Sequence, residues 1–392
     1  MAAYSDLQVK YIKELRDSGR SWEDVTKAFN DRFDDNKTFN AIRKTYKRFE
    51  DSNIDDDSII KSLEKSRRAE VANRKLRKEQ NVLLDKQLAL QDVIDTVKDL
   101  ISTLQVKKFN IAKPKKSTKK NKKKKPKMVI EPLISDIHYG LKTKTYNAGK
   151  ARTAMKKMAQ LSIEEMERYS KSYTIEKFNI LLNGDLIQSA TMHKDSGKAC
   201  EMTNAQQIAL AIESLFNDFI LPIALTGHKV DIIGMCGNHD RESVDRPTVD
   251  PGITYFTYAI YKALEQLAIH AGLKNVNFNI PTESYLVYEI FGSHFLLEHG
   301  DSMRQGTLKE LETQINKRSV QCDKLIKGIR VGHFHNDTVA NIGRYIKNGS
   351  PVSDDHYGNM LGYKSRPCQL INYYVETDRD TPYYHTLVVN LE

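Results

Sequence analysis

Cysteine is scarce in this chain of 392 residues, and long apolar runs are missing. The four cysteines form no CxxC pair, so neither a disulfide framework nor a thiolate zinc site is indicated. No apolar run approaches the ~18–20 residues that a membrane span requires, and the first residues lack the apolar stretch of a signal peptide. Because 40% of the residues are hydrophobic, the chain can still bury a sizeable core. We therefore expect a soluble, cytoplasmic protein with no membrane segment.

Glycine and proline are absent from residue 20 to residue 113. Acidic residues are absent from the lysine-rich residues 107–127. Residues 1–127 hold 33 basic and 20 acidic residues, a net charge of +13, whereas residues 128–392 hold 28 and 31, a net charge of −3. Twelve lysines lie in residues 107–127 alone. The positive charge therefore belongs to the front of the chain and not to its rear domain.

Residues 1–50 are predicted to form three short helices. The first ends at Ser18-Gly19 and has apolar residues at helical spacing, namely Leu7, Tyr11, Ile12 and Leu15. Ser21 begins the second helix as an N-cap, with Asp24 at the capping-box position. The third helix, roughly 38–49, alternates apolar residues with Arg43, Lys44, Lys47 and Arg48. This pattern resembles a homeodomain-like or Myb-like helix-turn-helix that would bind DNA through the four basic residues. The alternative is a small scaffold with an ordinary solvated face.

Residues 58–105 are predicted to form a long helix, because five apolar residues fall seven apart: Leu76, Leu83, Leu90, Val97 and Leu104. Such a helix would form a homodimeric coiled coil or pack within its own chain. The lysine-rich segment 106–128 predicts a flexible linker, because its like charges repel one another. It would contact nucleic acid by counterion release, act as a targeting signal, or serve only as a solubilising spacer.

Residues 129–392 alternate strand-length apolar runs with amphipathic helical stretches, which predicts an α/β domain. Five of the predicted strands run directly into tight turns that carry His, Asp or Asn. These turns read Ser135-Asp136-Ile137-His138-Tyr139-Gly140, Asn183-Gly184-Asp185, Gly237-Asn238-His239-Asp240, Glu298-His299-Gly300-Asp301 and Gly332-His333-Phe334-His335. Because the ends of neighbouring strands meet at one edge of an α/β sheet, we expect these side chains to lie together.

Seven side chains in these turns offer oxygen or imidazole donors: Asp136, His138, Asp185, Asn238, His299, His333 and His335. This set suits two divalent ions, Mn first, with Fe, Zn or Mg as alternatives. Each motif by itself is common. Their joint occurrence in this order, at separations of 49, 53, 61 and 34 residues, predicts a two-metal site. Asp185, alone in its turn, is a candidate for bridging both ions.

The order D-x-H, G-D, G-N-H-D, H-G-D, G-H-x-H resembles the calcineurin-like metallophosphoesterase superfamily, and within it the DNA-repair exonuclease branch. The resemblance covers residues 128 to about 390 and implies a four-layer α/β/β/α sandwich. It implies that one ion is bound by Asp136, His138 and His335. It implies that the other is bound by Asn238, His299 and His333.

The same resemblance implies that His239 acts on the substrate and is oriented by Asp240. The ions would activate water for attack on phosphorus, and His239 would stabilise or protonate the leaving oxygen. One departure is that the GDxxD of many relatives ends in Gln188 here, which weakens assignment to the protein-phosphatase branch. Three residues that flank the ligands are candidates for holding substrate phosphate, with a structural role as the alternative: Arg241, Arg304 and Tyr139.

Enzymes with this fold act on many substrates, so the fold alone does not predict the substrate. The prediction depends on the segments that precede the α/β domain. The helix-turn-helix and the lysine-rich segment favour DNA. We therefore predict a Mn-dependent DNA nuclease or phosphodiesterase of phage type, in the cytoplasm of a bacterium or a phage-infected host cell. A separate ATPase partner is compatible with this prediction. One alternative is a small-molecule phosphodiesterase or phosphatase acting on nucleotides or cyclic nucleotides, which the net charge of −3 favours. Another is a non-enzymatic DNA-binding protein with a vestigial site.

Overall fold

The computed structural model describes residues 4–51, 65–78, 80–81, 125–193, 195–242, 250–354, 365–378 and 380–392. The chain divides into two compact units, residues 1–88 and residues 89–392. Of the predicted long helix 58–105, the described residues are helical, and the rest, including four of the five heptad positions, lie outside the described ranges. The predicted linker 106–128 lies outside them up to residue 124.

The first unit contains three helices, α1 (Asp6–Asp17), α2 (Trp22–Phe33) and α3 (Phe39–Asp51). The predicted cap of α2 is confirmed, because the Ser21 side chain accepts a hydrogen bond from the Asp24 N–H. The three helices enclose a small apolar core made of Ile12, Leu15, Val25, Phe29 and Ile42. Leu7 was expected on the inner face of α1, but it is 64% exposed, because this core begins one turn further along the helix.

The second unit contains two β-sheets. The first sheet has the order β11–β10–β1–β2–β3–β4, with β1 (Lys127–Ile134), β2 (Thr174–Asn183), β3 (Lys229–Met235), β4 (Val276–Asn279), β10 (Cys368–Val375) and β11 (Tyr383–Asn390). The second has the order β5–β6–β7–β9–β8, with β5 (Tyr285–Ile290), β6 (Ser293–Glu298), β7 (Ile326–Val331), β8 (Thr338–Ala340) and β9 (Tyr345–Lys347). Strands β1 to β4 are parallel neighbours, as are β6 and β7.

The helices of this unit lie on the outer faces of the two sheets. Helices α4 (Ala148–Ser170), α5 (Asn204–Ala224) and α6 (Phe256–His270) pack in one large apolar core with the first sheet, and α7 (Leu308–Cys322) packs on the second. A separate apolar core lies between the sheets and includes Val129, Leu133, Leu181, Phe295 and Leu297. The predicted four-layer α/β/β/α sandwich is therefore confirmed.

Helix α5 is the one helix in the described ranges that is long and apolar enough to cross a membrane by length and composition. However, 67% of its apolar window is buried inside the protein. Its apolar residues, such as Ile208, Ile212 and Phe219, belong to the core beneath the first sheet. A core helix with this packing passes the same test of length and hydropathy, so the test says little about membranes.

Candidate metal centre

The parallel strands bring the five predicted turns together at their carboxyl ends. Backbone hydrogen bonds join the turns directly: the Asp136 N–H donates to the Gly184 carbonyl at 3.1 Å, and the His138 N–H donates to the Asp185 carbonyl at 3.0 Å. In the second sheet the Gly332 N–H donates to the His299 carbonyl at 2.8 Å. The predicted convergence of the five turns at one edge is therefore observed.

Five of the seven predicted ligands have backbone conformations that non-glycine residues rarely adopt. Their φ angles are +56°, +50°, +50°, +67° and +55°, for Asp136, His138, Asp185, His333 and His335 respectively. Such conformations cost about 1–3 kcal/mol each and persist only where the surroundings hold them, which occurs most often at functional sites. Their concentration on these residues is a structural sign of function that the sequence did not show.

Glycines allow the turns to approach one another closely. A Cβ on Gly237 would lie 2.3 Å from the Asp185 backbone nitrogen, and a Cβ on Gly184 would lie 2.5 Å from the Gly237 nitrogen. A side chain at either position would push the Asp185 turn away from the Asn238 turn. These two glycines therefore set the distance between two predicted ligands.

The ligand atoms form three overlapping groups, in each of which all atoms lie within 4.8 Å of one another. One group has Asp136, His138 and His335, and another has Asp185, His299 and His333. The third joins Asp185 and His138 to His239. Asp185 thus lies between the two halves of the site, where the sequence placed a bridging ligand.

Several donor atoms in these groups are buried without a hydrogen-bond partner among the described residues. The Nδ1 of His299 bonds to the Asn183 carbonyl at 2.7 Å, so the other ring nitrogen, the buried Nε2, faces Asp185 Oδ2 at 3.1 Å. Asn238 Oδ1 is also buried and unpartnered. In metal-binding histidines one ring nitrogen commonly donates to a backbone carbonyl, which leaves the second nitrogen to bind the metal. The site therefore fits divalent ions.

Electrostatics favour the charge states that metal binding needs. Burial, then the neighbouring His239 and His335, lower the pKa of His138 to about 3, and burial with His299 lowers that of His333 to about 4. Burial acts to raise the pKa of Asp136, but His335 outweighs it and the net pKa is lowered. At neutral pH His138 and His333 are therefore neutral and Asp136 is ionised, as metal ligands require. His299 differs, because burial acts to lower its pKa but the Asp185 carboxylate outweighs burial and raises the pKa of His299 well above its usual range. Metal binding there would therefore displace a proton.

His239 and Asp240 follow the ligand Asn238 in a short 3₁₀ turn, Asn238–Asp240. The resemblance implied that Asp240 orients the His239 ring, but the structure shows a different contact. The Nδ1 of His239 lies 3.0 Å from the Gln188 carbonyl oxygen. The Asp240 carboxylate instead accepts four backbone N–H groups, from Gly237, Asp185, Leu186 and Ile187. Asp240 therefore joins two turns of the site, and a main-chain carbonyl holds the ring.

The three candidate phosphate contacts differ in position. Tyr139 is fully buried in the core under the helices, so its predicted role in holding phosphate is corrected: the residue after His138 faces the opposite side of the backbone. Arg241 is 5% exposed, and its Nε donates to the Asn238 carbonyl at 2.8 Å, which is a contact within the turn. Arg304 is exposed, and its contact with substrate stays a prediction.

Supporting residues from distant parts of the chain were missed by the motif analysis. Ser350 donates its hydroxyl to the Asp136 carbonyl at 2.8 Å, and buried Asn348 donates to the Ser135 hydroxyl at 2.9 Å. The turn-rich sequence around them was a visible signal of a loop near the site. Gln207, on helix α5, carries no motif, and only the fold reveals its contact with the Ser189 backbone.

The four basic residues predicted to contact nucleic acid are all exposed on α3: Arg43, Lys44, Lys47 and Arg48. The apolar residue Ile42 of the same helix is fully buried in the core of the three-helix unit. Helix α3 is therefore amphipathic, with a basic outer surface. Whether that surface binds DNA stays a prediction.

No family model and no curated protein matches the sequence. Solved structures with a similar fold include an archaeal phosphodiesterase, 13% identical over 66% of this chain and 99% of that chain, with a TM-score of 0.32. They also include Vps29 from Entamoeba histolytica complexed with Zn²⁺ (12% identity, 67% and 99% coverage, TM-score 0.28) and a putative 5′-nucleotidase from Staphylococcus aureus (10% identity, 67% and 54% coverage, TM-score 0.31). Sequence identities and TM-scores this low do not indicate a function, so the functional evidence lies in the residues of this chain.

Proposed function

We propose that residues 129–392 form a two-metal phosphoric ester hydrolase of the calcineurin-like superfamily that cleaves phosphodiester bonds in DNA. The observation that carries the proposal is the pair of three-residue groups, Asp136, His138 and His335 in one and Asp185, His299 and His333 in the other, together with the buried, unpartnered Oδ1 of Asn238. One ion would be held by Asp136, His138 and His335. The second would be held by Asn238, His299 and His333, with Asp185 shared.

The ions, when bound, would supply charge stabilisation for a phosphoryl group and an activated water at neutral pH. The contribution of the chain itself is geometric. Backbone bonds between the turns fix the separation of the two ligand groups, and the buried position of Asp185 keeps bulk water from competing for its carboxylate. His239 is half-buried beside His138, with ring centroids 4.6 Å apart, so it lies at the opening of the site.

His239 is the residue that we assign to the leaving oxygen. Its Nδ1 faces a carbonyl oxygen, which can only accept a hydrogen bond, so Nδ1 carries the hydrogen. The Nε2 atom is then the nitrogen left for a substrate oxygen. From there a protonated ring would donate a proton to the departing alkoxide.

DNA is proposed as the substrate because of the residues that precede β1. Helix α3 of the first unit carries four exposed basic residues, and the twelve lysines of residues 107–127 bring residues 1–127 to a net charge of +13. Such charges attract a phosphate backbone and release its counterions. The net charge of −3 on residues 128–392 instead favours a small nucleotide substrate, which is the second candidate. A homodimer through residues 58–105 and a separate ATPase partner stay predictions from the sequence.

The test is to incubate the full chain with Mn²⁺ and end-labelled single-stranded and double-stranded linear DNA. We expect cleavage by the wild type and none by Asp185→Asn. Asp231→Asn, a carboxylate on β3 bonded to Lys177, is the matched control and should cleave normally. Hydrolysis of bis(4-nitrophenyl) phosphate without any DNA cleavage would contradict DNA as the substrate and leave the small-molecule candidate. Failure to hydrolyse either would contradict the enzyme proposal.

A further inference from the structure

We propose that Gln207, a buried glutamine of helix α5, is a positioning residue that holds the His239 ring in its working orientation. The inference rests on the proposed function, since His239 must act on the leaving oxygen for its orientation to matter. The connection runs from Gln207 to Ser189, from Ser189 to Gln188, and from the Gln188 carbonyl to His239. None of these three supporting residues belongs to the ligand set.

Gln207 is fully buried, and both ends of its carboxamide are bonded. Its Oε1 accepts from the Ser189 backbone N–H at 2.9 Å, and its Nε2 donates to the Met202 carbonyl at 3.0 Å. The side chain also packs directly on Gly140, where an added Cβ would lie 2.4 Å from the Gln207 Cγ. The glutamine is thus fixed between the loop after His138 and the loop after Asp185.

Ser189 needs such support because its φ is +54°, a conformation that serine rarely adopts. Two further contacts hold the same segment: the Ser189 hydroxyl donates to the Arg241 carbonyl at 3.3 Å, and the Gln188 N–H donates to the Tyr139 carbonyl at 3.0 Å. Among the described residues, the Gln207 bond is the contact that fixes the Ser189 backbone N–H. Without it, the peptide between Gln188 and Ser189 is free to turn toward an ordinary conformation.

That peptide carries the oxygen that orients His239. The Gln188 carbonyl lies 3.0 Å from the His239 Nδ1. The other strong contact of His239 is a bond from its backbone N–H to Asp185 Oδ1 at 2.7 Å, which fixes the main chain and not the ring. Asp240, the residue expected to orient the ring, is already engaged by four backbone N–H groups. If the Gln188 peptide turns, the ring therefore loses its hydrogen-bonded anchor.

The consequence depends on the leaving group. A 4-nitrophenolate is a stable anion and departs without a proton, whereas phenolate and the sugar alkoxide of DNA are more basic and need one. Misplacing the His239 ring should therefore slow hydrolysis of phenyl esters and leave 4-nitrophenyl esters little changed. A loss of general folding or of metal would slow both alike.

The experiment uses the full chain with Mn²⁺ and the phenyl and 4-nitrophenyl esters of thymidine 5′-phosphate. We expect Gln207→Met, which keeps the size but loses both hydrogen bonds, to lower kcat for the phenyl ester by about tenfold, with KM and bound metal unchanged. This is less than the roughly 10²–10⁴-fold that a general acid supplies in full, because the ring is misplaced and not removed. Thr257→Val on α6 is the control. It removes a buried hydroxyl that has no partner among the described residues and should leave both rates unchanged.

Two further variants separate positioning from general support of the fold. Gln207→Glu keeps the acceptor for the Ser189 N–H and should recover much of the phenyl-ester rate lost in Gln207→Met. In a His239→Ala background, Gln207→Met should cause no further loss on the phenyl ester, because the ring that it positions is gone. Equal loss on both esters, or an additive loss in the double variant, would overturn the inference.

A second readout does not need turnover. In the metal-free wild type, ¹⁵N NMR of the imidazoles should show His239 as the tautomer with hydrogen on Nδ1, and Gln207→Met should show a mixture of tautomers. An unchanged His239 spectrum in Gln207→Met would overturn the inference even if the protein were inactive. An inactive wild type with the expected spectra would contradict the proposed function and leave the positioning contact supported.

Discussion

Asp240 is a buried carboxylate whose hydrogen bonds join two turns of the site. Its two oxygens accept N–H groups from the turn of Asp185 and from Gly237, at 2.8 Å for the shortest bonds. Burial, then the nearby Asp185 charge, act to raise its pKa, while the N–H groups of Gly237 and Ile187 favour the ionised form. All four of these partners are backbone N–H donors, so both oxygens of the side chain at position 240 must act as hydrogen-bond acceptors.

Asp240→Asn is therefore expected to weaken both the fold and metal binding. The amide nitrogen would face backbone N–H groups, and leaving buried donors unpaired costs about 1–3 kcal/mol. The Asp185 turn would shift at the same time and lower the affinity for Mn²⁺. Denaturant unfolding measures the first effect, and calorimetric titration of the metal-free protein measures the second.

The control for this prediction is Asp231→Asn on β3. The carboxylate of Asp231 is paired with Lys177 and Lys229 at 2.8 and 3.0 Å near the surface, so its loss should cost less than about 1 kcal/mol and leave Mn²⁺ affinity unchanged. If Asp240→Asn behaved like this control, the four bonds to Asp240 would be unimportant for the site.

At the scale of elements, an ionic cluster joins the two sheets inside the sandwich. Glu131 of β1 and Arg330 of β7 are both fully buried, with the Arg330 Nε 3.6 Å from the Glu131 carboxylate. Tyr374 bridges them, because its hydroxyl donates to Glu131 at 2.7 Å and accepts from Arg330 at 2.8 Å. The carboxylate accepts further bonds from Tyr288, Asn179 and Asn372.

Glu131→Leu should destabilise the fold by about 3–5 kcal/mol, because it leaves the Arg330 charge buried without its partner. The double variant Glu131→Leu/Arg330→Met should recover only part of that loss, because it removes the uncompensated charge but leaves the buried donors of Tyr288, Asn179 and Asn372 without their acceptor. Chemical unfolding of both proteins measures the difference. Glu176→Leu, which removes a partly exposed partner of Lys127, is the comparison and should have little effect. A double variant less stable than the single one would contradict this account.

The sequence was sufficient for elements and turns whose signals are local. The N-cap of α2 and the strand-turn motifs that carry Asp136 and His333 follow from neighbouring residues, so they could be predicted. The contacts of Gln207, Glu131 and Arg330 join segments far apart in the chain, so no local pattern reveals them. Tyr139 was misjudged for a related reason: its distance from His138 in sequence is one residue, but the two side chains face opposite sides of the backbone.

At the scale of the whole molecule, removing the residues that precede β1 distinguishes between the two candidate substrates, DNA and a small phosphodiester. Lys125 donates to the carbonyls of Ser170 and Lys171 at the end of α4, and β1 begins at Lys127, so a deletion should stop at residue 124. We expect the chain from residue 125 to keep its rate on bis(4-nitrophenyl) phosphate and to lose most DNA cleavage at moderate salt. Unchanged DNA cleavage by the truncated protein would show that the first unit does not deliver the substrate.

The charge on α3 provides the sharper test in the intact chain. In Arg43→Gln/Lys47→Gln, DNA affinity should fall and the slope of log K against log salt should decrease by about 0.9 for each lost phosphate contact. Lys10→Gln/Lys13→Gln removes the same charge from exposed positions of α1 and serves as the matched control, with a smaller change in slope. Fluorescence anisotropy with a labelled duplex at several salt concentrations measures both. Equal slopes for the two double variants would mean that DNA responds to the total charge of the first unit and not to the surface of α3.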